Sequence, residues 1–256
     1  MTLANRWNCI LSGPMTGAEN MAADMALASA VQCGASPSTL RLYGWKPWAV
    51  SLGYNQRETD IDHEACTRYG FDIVRRPTGG RAILHANELT YAVAMPANGT
   101  GITETYSRIS KALVEGLSGI CPSVSYESSQ LNFQSLYKRQ ESIPCFSASA
   151  RYEVQIGGKK LVGSAQRRFT VPDLPEVVLQ HGSILLGTEH QLLAEILSVN
   201  EEAVKQKILS DIEGKTIDLS TAVGRTVTME EAAAAVIRGF ERTMGITFVP
   251  TIEATV

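Results

Sequence analysis

The chain has 256 residues, of which 44% are hydrophobic and 19% charged, and its net charge is −3. That is enough for one large hydrophobic core with or without a small appendage, and the slight acidity excludes the global basic field of a nucleic-acid-binding protein. Five cysteines with no CxxC pair, an opening MTLANRWN without a signal-peptide pattern, and no apolar run of the ~20 residues that span a bilayer lead to the expectation of a cytoplasmic, thiol-reduced protein outside the membrane.

Trp7 to Gly13 reads as a strand. Thr16 and Glu19 have the spacing of a capping box ahead of a helix whose apolar residues Met21, Met25, Ala28 and Val31 recur at helical period, with Gly34 as the stop. Two strands, 39–45 and 49–54, flank a turn at Lys46-Pro47. A helix starts near Asp60, a strand covers 71–76, and 77–96 reads as a glycine turn followed by an alternating strand. Ile109, Leu113 and Leu117 mark an amphipathic helix within 104–120. The polar stretch 125–142 reads as a loop. Two alternating runs, 151–156 and 159–169, around Gly157-Gly158 give the strongest hairpin signal, and 177–186 is a further strand.

Beyond His190 helices are expected over 190–197, 201–209 and 230–245, the last behind a second capping box at Thr228 and Glu231 and ended by Gly245. The class is α+β: a mixed β-sheet core flanked by helices. Residues 1–188 form the expected catalytic core, and 189–256 a mainly helical portion packed on it.

Four segments could carry chemistry. Arg75, Arg76, Gly79, Gly80 and Arg81, with His85 following, combine a backbone that can approach a ligand with forked cationic donors for phosphate or carboxylate. The alternative is a tight turn with a solvated basic rim. The segment lacks the Gly-Lys-Ser/Thr ending of a P-loop. In the run 158–166, which holds Gly163, Ser164 and Ala165, Lys159 and Lys160 face opposite sides of a strand, so one can enter a site while the other is solvated. Cys145 lies between Pro144 and Phe146. A lone cysteine is usually a small core residue, but a lysine ammonium from the following hairpin would lower its thiol pKa. His181 either lines a site or is a satisfied core histidine. No metal-binding set is read.

Taken together, RLYGWKPWAVSLGYNQ, RRPTGGRAILH, GGKKLVGSAQRR and LQHGSILL resemble, in that order over Arg41 to Leu186, the biotin/lipoate A/B protein ligase family. GPMTGAENMAADMAL resembles it too. GGRA in place of GGGA, and Pro-Cys-Phe at the nucleophile position, make the chain most similar to the LipM-type octanoyltransferases. The resemblance implies that Cys145 takes an octanoyl group from acyl carrier protein, that Lys160 keeps it ionised, and that the group passes to a lysine of a lipoyl carrier such as the glycine-cleavage H protein or a dehydrogenase E2. Arg76, Gly79, Gly80, Arg81, His85, Gly163, Ser164, Ala165 and His181 would surround the substrate. No cofactor is implied, and a monomer is expected. Lys160 or His85 would assist the acceptor lysine.

Three rivals are an ATP- and Mg-dependent lipoate ligase, an amidotransferase between carrier proteins, and a non-catalytic binding module. His85-Ala86 replaces the family's frequent His-Asp, and Thr90-Tyr91-Ala92 its Thr-Tyr-Ser.

Overall fold

The computed structural model describes residues 5–126, 153–199 and 201–249. An eight-stranded mixed sheet has the order β11-β1-β2-β6-β10-β9-β8-β7. Its strands are β1 (Arg6–Leu11), β2 (Thr39–Tyr43), β6 (Glu88–Pro96), β7 (Val124–Tyr126), β8 (Val154–Ile156), β9 (Lys159–Phe169), β10 (Val177–Leu185) and β11 (Thr247–Val249). A second sheet has the order β4-β3-β5, from Asp72–Arg75, Ala49–Leu52 and Ile83–His85. The helices are α1 (Gly17–Gln32), α2 (His63–Tyr69), α3 (Ile102–Leu117), α4 (Glu202–Lys215), α5 (Leu219–Val223) and α6 (Met229–Met244). The mixed sheet with flanking helices is the expected class.

Alternation along the strands sends side chains into two different cores. Leu40, Leu42, Leu89, Tyr91 and Val93 pack with Leu113 of α3 and Val236 and Phe240 of α6. Tyr43, Ala92, Ala94 and Leu179 face the other way, against Met21, Ala28 and Val31 of α1. Segment 88–96 therefore alternates between two cores and not between core and water. A third cluster joins Val50, Leu52 and Leu84 of the small sheet to Ala65, Leu193, Ile196 and Ile212.

Local signals act as their chemistry dictates. Both halves of the Thr16–Glu19 capping box form. At the second site Thr228 caps Glu231 N–H, but the Glu231 carboxylate turns to Arg225 instead of closing the box. Gly157 and Gly158 both have positive φ, 58° and 80°, as a two-residue hairpin turn requires.

Two expectations are corrected. Residues 77–96 do not lead from one turn into one strand: β5 belongs to the small sheet and β6 to the large one, with only Ala86 and Asn87 between them. The segment after Thr188 is a 3-10 helix, Glu189–Ile196. The C-terminal residues also add β11, parallel to β1, to the sheet edge. α6 crosses α3 closely, because a Cβ on Gly239 would stand 2.2 Å from Ala112 O and one on Gly116 2.3 Å from Ala235 O. Among the described residues no helix is long and apolar enough to cross a membrane.

Candidate active site

A cleft opens on the α1 side of the large sheet. Strand register builds its floor: Tyr43 pairs with Thr90, which pairs with Ser183, which pairs with Gly163. One row over, Arg41, Ala92, His181 and Ala165 align in the same way. Small residues beside His181 and Ser183 leave a hollow in an otherwise packed layer. Met21, Trp45, Ile83, His85 and Arg76 close around it, giving about 410 Å³ of empty space, its solvent-facing mouth included.

Two histidines are held in the same manner, each between a carboxylate and a hydroxyl. His181 Nδ1 lies 3.1 Å from Asp24 Oδ2, and its Nε2 2.6 Å from Thr78 Oγ1. His85 Nδ1 lies 2.8 Å from Glu88 Oε1, and its Nε2 2.7 Å from Ser51 Oγ. Arg76 Nη1 also donates to Ser51 Oγ, so Ser51 joins Arg76 to His85. Trp45 stacks on His85 at 3.9 Å and donates to Thr90 Oγ1 at 2.7 Å. Carboxylate–histidine–hydroxyl order is the order of a hydrolytic triad. Here both hydroxyls are fully buried, and Ser51 already accepts from Arg76, so neither is presented to a substrate. The sets act as pins between the small sheet with its loop and the large sheet.

Asp24 is the hub beneath the cleft. It accepts from Arg41 at 2.9 Å and from Tyr43 Oη at 2.8 Å, besides facing His181. Burial, and then the Asp24 charge, push the Tyr43 phenol well above its ordinary range. Burial likewise raises Tyr91, to about 12. Glu88 Oε1 accepts from Thr90 and Ser183 and lies 2.8 Å from His85 Nδ1, while its Oε2 has no partner among the described residues.

The basic run divides. Arg75 Nη1 donates to the carbonyls of Gly53, Tyr54 and Gln56. Arg76 donates to those of Ser51, Gly79 and Arg81. Two of the three arginines thus brace their own loop instead of offering forks to an anion, although Arg76 also lines the cleft. Gly80 needs its positive φ of 98°, and Gly53 must lack a side chain because a Cβ would meet Gly80 O at 2.0 Å.

The cleft gathers Arg76, His85, Gly163, Ser164, Ala165 and His181. Ser164 borders it, but its hydroxyl bonds Tyr91 Oη at 2.7 Å, across Gly182 and on the opposite face from His181. Lys160 is not among the lining residues. It is buried, ion-paired with Glu153, and sits where the β8–β9 register slips: Val154 faces Val162 but Gln155 faces Lys160, so Leu161 is the extra residue of a bulge. Lys159 donates to Glu213 O at 3.0 Å, so the two lysines do part company. Cys145 lies outside the described residues. Sequence reading missed Asp24, Arg41, Ser51 and Glu88. The available signal was a charge inside an apolar run, as in TLRLY and MAADMAL.

This fold and cleft define a protein of the lipoyl ligase kind: residues 16–241 match the lipoyl protein ligase A/B catalytic domain, and the chain belongs to that family. Within it, the chain is 39% identical over 256 residues to octanoyltransferase LipM of Geobacillus kaustophilus, covering 95% of this chain and 88% of that one. It is 37% identical over 252 residues to octanoyltransferase LipM of Anoxybacillus flavithermus, covering 94% and 87%. Among solved structures, the bipartite lipoate protein ligase of Thermoplasma acidophilum superposes with a TM-score of 0.77 at 23% identity, covering 97% of this chain and 88% of that one, a likeness of fold.

Proposed function

We propose that this chain is an octanoyltransferase of lipoate biosynthesis, moving the octanoyl group of acyl carrier protein to a lysine of a lipoyl carrier protein. The observation that carries the reading is the similarity, along 95% of the chain, to proteins named octanoyltransferase LipM. The cleft, walled by Met21, Trp45 and Ile83, offers an acyl chain an apolar lining. Each buried CH₂ contributes about 0.8 kcal/mol there.

Cys145 is the proposed nucleophile. Its sulfur attacks the thioester carbonyl, the C–S bond to the carrier's thiol breaks, and that thiolate takes a proton as it leaves. The acceptor lysine then attacks the acyl-enzyme. A C–N bond forms, the Cys145 thiolate departs, and the ammonium proton is passed on. Of the two groups considered for that proton, His85 has both ring nitrogens engaged. Lys160 is ion-paired with Glu153 and must hand a proton on before it takes the acceptor's, and that pair is the proposed relay. The exchange of one thioester for another, followed by amide formation, needs no nucleotide.

Mass spectrometry after incubation with octanoyl-acyl carrier protein, without ATP, tests this. A hydroxylamine-labile octanoyl adduct is expected in the wild type and not in Cys145→Ala. An adduct that persists in the variant would sink the cysteine mechanism, and transfer only with ATP and a free acid would make the chain a ligase.

A further inference from the structure

The glycine turn is anchored at nearly every residue, mostly through its carbonyl oxygens. Pro77 O accepts from Arg167 at 3.0 Å, Thr78 O from Tyr54 N–H at 2.9 Å, and Gly79 O from Arg76 at 2.9 Å. Arg81 O accepts from Arg76 at 2.7 Å. The Thr78 hydroxyl is held by His181, itself oriented by Asp24. Four of the turn's carbonyls, those of Pro77, Thr78, Gly79 and Arg81, are therefore held by donors of the protein. The amide N–H groups of exposed Gly79 and Gly80 have no protein acceptor among the described residues.

Two of the anchors come from neighbouring strands of the large sheet and were not needed by the chemistry above. Arg167, on β9, is held between rings: its guanidinium carbon lies 4.7 Å from the Tyr54 centroid and 5.1 Å from that of Phe169. A stacked, planar donor loses little freedom when it grips a carbonyl. His181, on β10, reaches up from between Ala92 and Ala165.

We propose that Arg167 and the Asp24–His181–Thr78 chain are positioning residues for octanoyl transfer: they fix the glycine turn against the cleft that His181 and Arg76 line. This deepens the octanoyltransferase reading and rests on it. Arg167 acts through the Pro77 carbonyl and His181 through the Thr78 hydroxyl, so each reaches the reaction by way of the turn.

Thr78→Val keeps the shape of the side chain and removes the hydroxyl, while Thr78→Ser keeps the hydroxyl. For octanoyl transfer, Thr78→Val is expected to lower kcat by ~10–100-fold with KM changed less than about threefold, since misplacing groups near a reacting centre costs rates of this order. Thr78→Ser is expected to stay within about threefold of wild type. Arg167→Met should lower kcat in the same sense. Thr78→Val combined with His181→Asn should be no slower than the slower single variant, because both cut one chain.

Hydrogen exchange of the peptide spanning 76–82 gives a readout independent of turnover, and it should quicken in Thr78→Val and Arg167→Met. Wild-type rates in Thr78→Val, losses that multiply in the double variant, or unchanged exchange would overturn the proposal. A wild type that transfers no octanoyl group would overturn the functional reading instead, and the exchange comparison would still decide whether these residues fix the turn.

Discussion

Asp24 Oδ1 and Arg41 Nη1 meet at 2.9 Å with both side chains closed to water. Removing one member of such a pair strands the other charge, at a cost of about 3–5 kcal/mol. Asp24→Ala also deprives Tyr43 and His181 of their acceptor. The expected result is a melting midpoint lowered by roughly 10 °C or more. Asp24→Ala together with Arg41→Met should recover part of that loss, and calorimetry of the single and double variants checks it.

Gly53 and Gly79 lie close together along one fold of backbone, yet only one of them is forced to be glycine. A Cβ on Gly53 would stand 2.0 Å from Gly80 O, whereas one on Gly79 meets nothing within 4 Å. Gly53→Ala is expected to displace the turn and lower octanoyl transfer by roughly 100-fold. Gly79→Ala should melt within about 2 °C of wild type. Equal melting and equal transfer rates in the two variants would contradict the close approach.

Burial holds the His190 imidazole below its ordinary value of 6.5, with Nε2 bonded to Thr216 Oγ1 at 2.8 Å. The unfolded chain therefore takes up this proton first as pH falls. The stability from neutral His190 is fully present above about 6.5 and is lost as pH drops through the lower folded-state value. Thermal melts between pH 7.5 and 5 should show a shallower decline in His190→Gln than in wild type.

The thiols should separate by reactivity. Burial, and then Glu241, raise Cys9 to about 11, and burial, and then Asp62, raise Cys66 to about 11. At pH 8 roughly one in a thousand such thiols is ionised. Cys33 is exposed. Brief treatment with an alkylating reagent should label Cys33 well before Cys9 or Cys66, as peptide mass mapping would show.

What could be read in the sequence was local. Gly157-Gly158 dictates its hairpin, Thr16 and Glu19 their cap, and the period of Ile109, Leu113 and Leu117 its helix. The break at Ala86-Asn87 could not be read, because strands buried on both faces carry the same apolar run on either side of it. The cleft was half legible. Arg76, His85, Ala165 and His181 could be named, but not that Arg75 and Arg76 turn inward, since an arginine's direction depends on which carbonyls the fold brings within reach. Asp24, Arg41 and Ser51 come from α1, β2 and β3, and only tertiary structure unites them with the two histidines.

Gly163 and Ala165, which line the cleft beside Ser183 and His181, do nothing chemically. They make the cleft by leaving volume out of a layer that packing would otherwise fill. Larger apolar residues there would add contacts and remove the cavity, so drift that improves the fold would silence the protein. Selection for function must therefore hold these two positions below the packing optimum, and the smallness of inert side chains is as much a part of the site as any group that moves a proton.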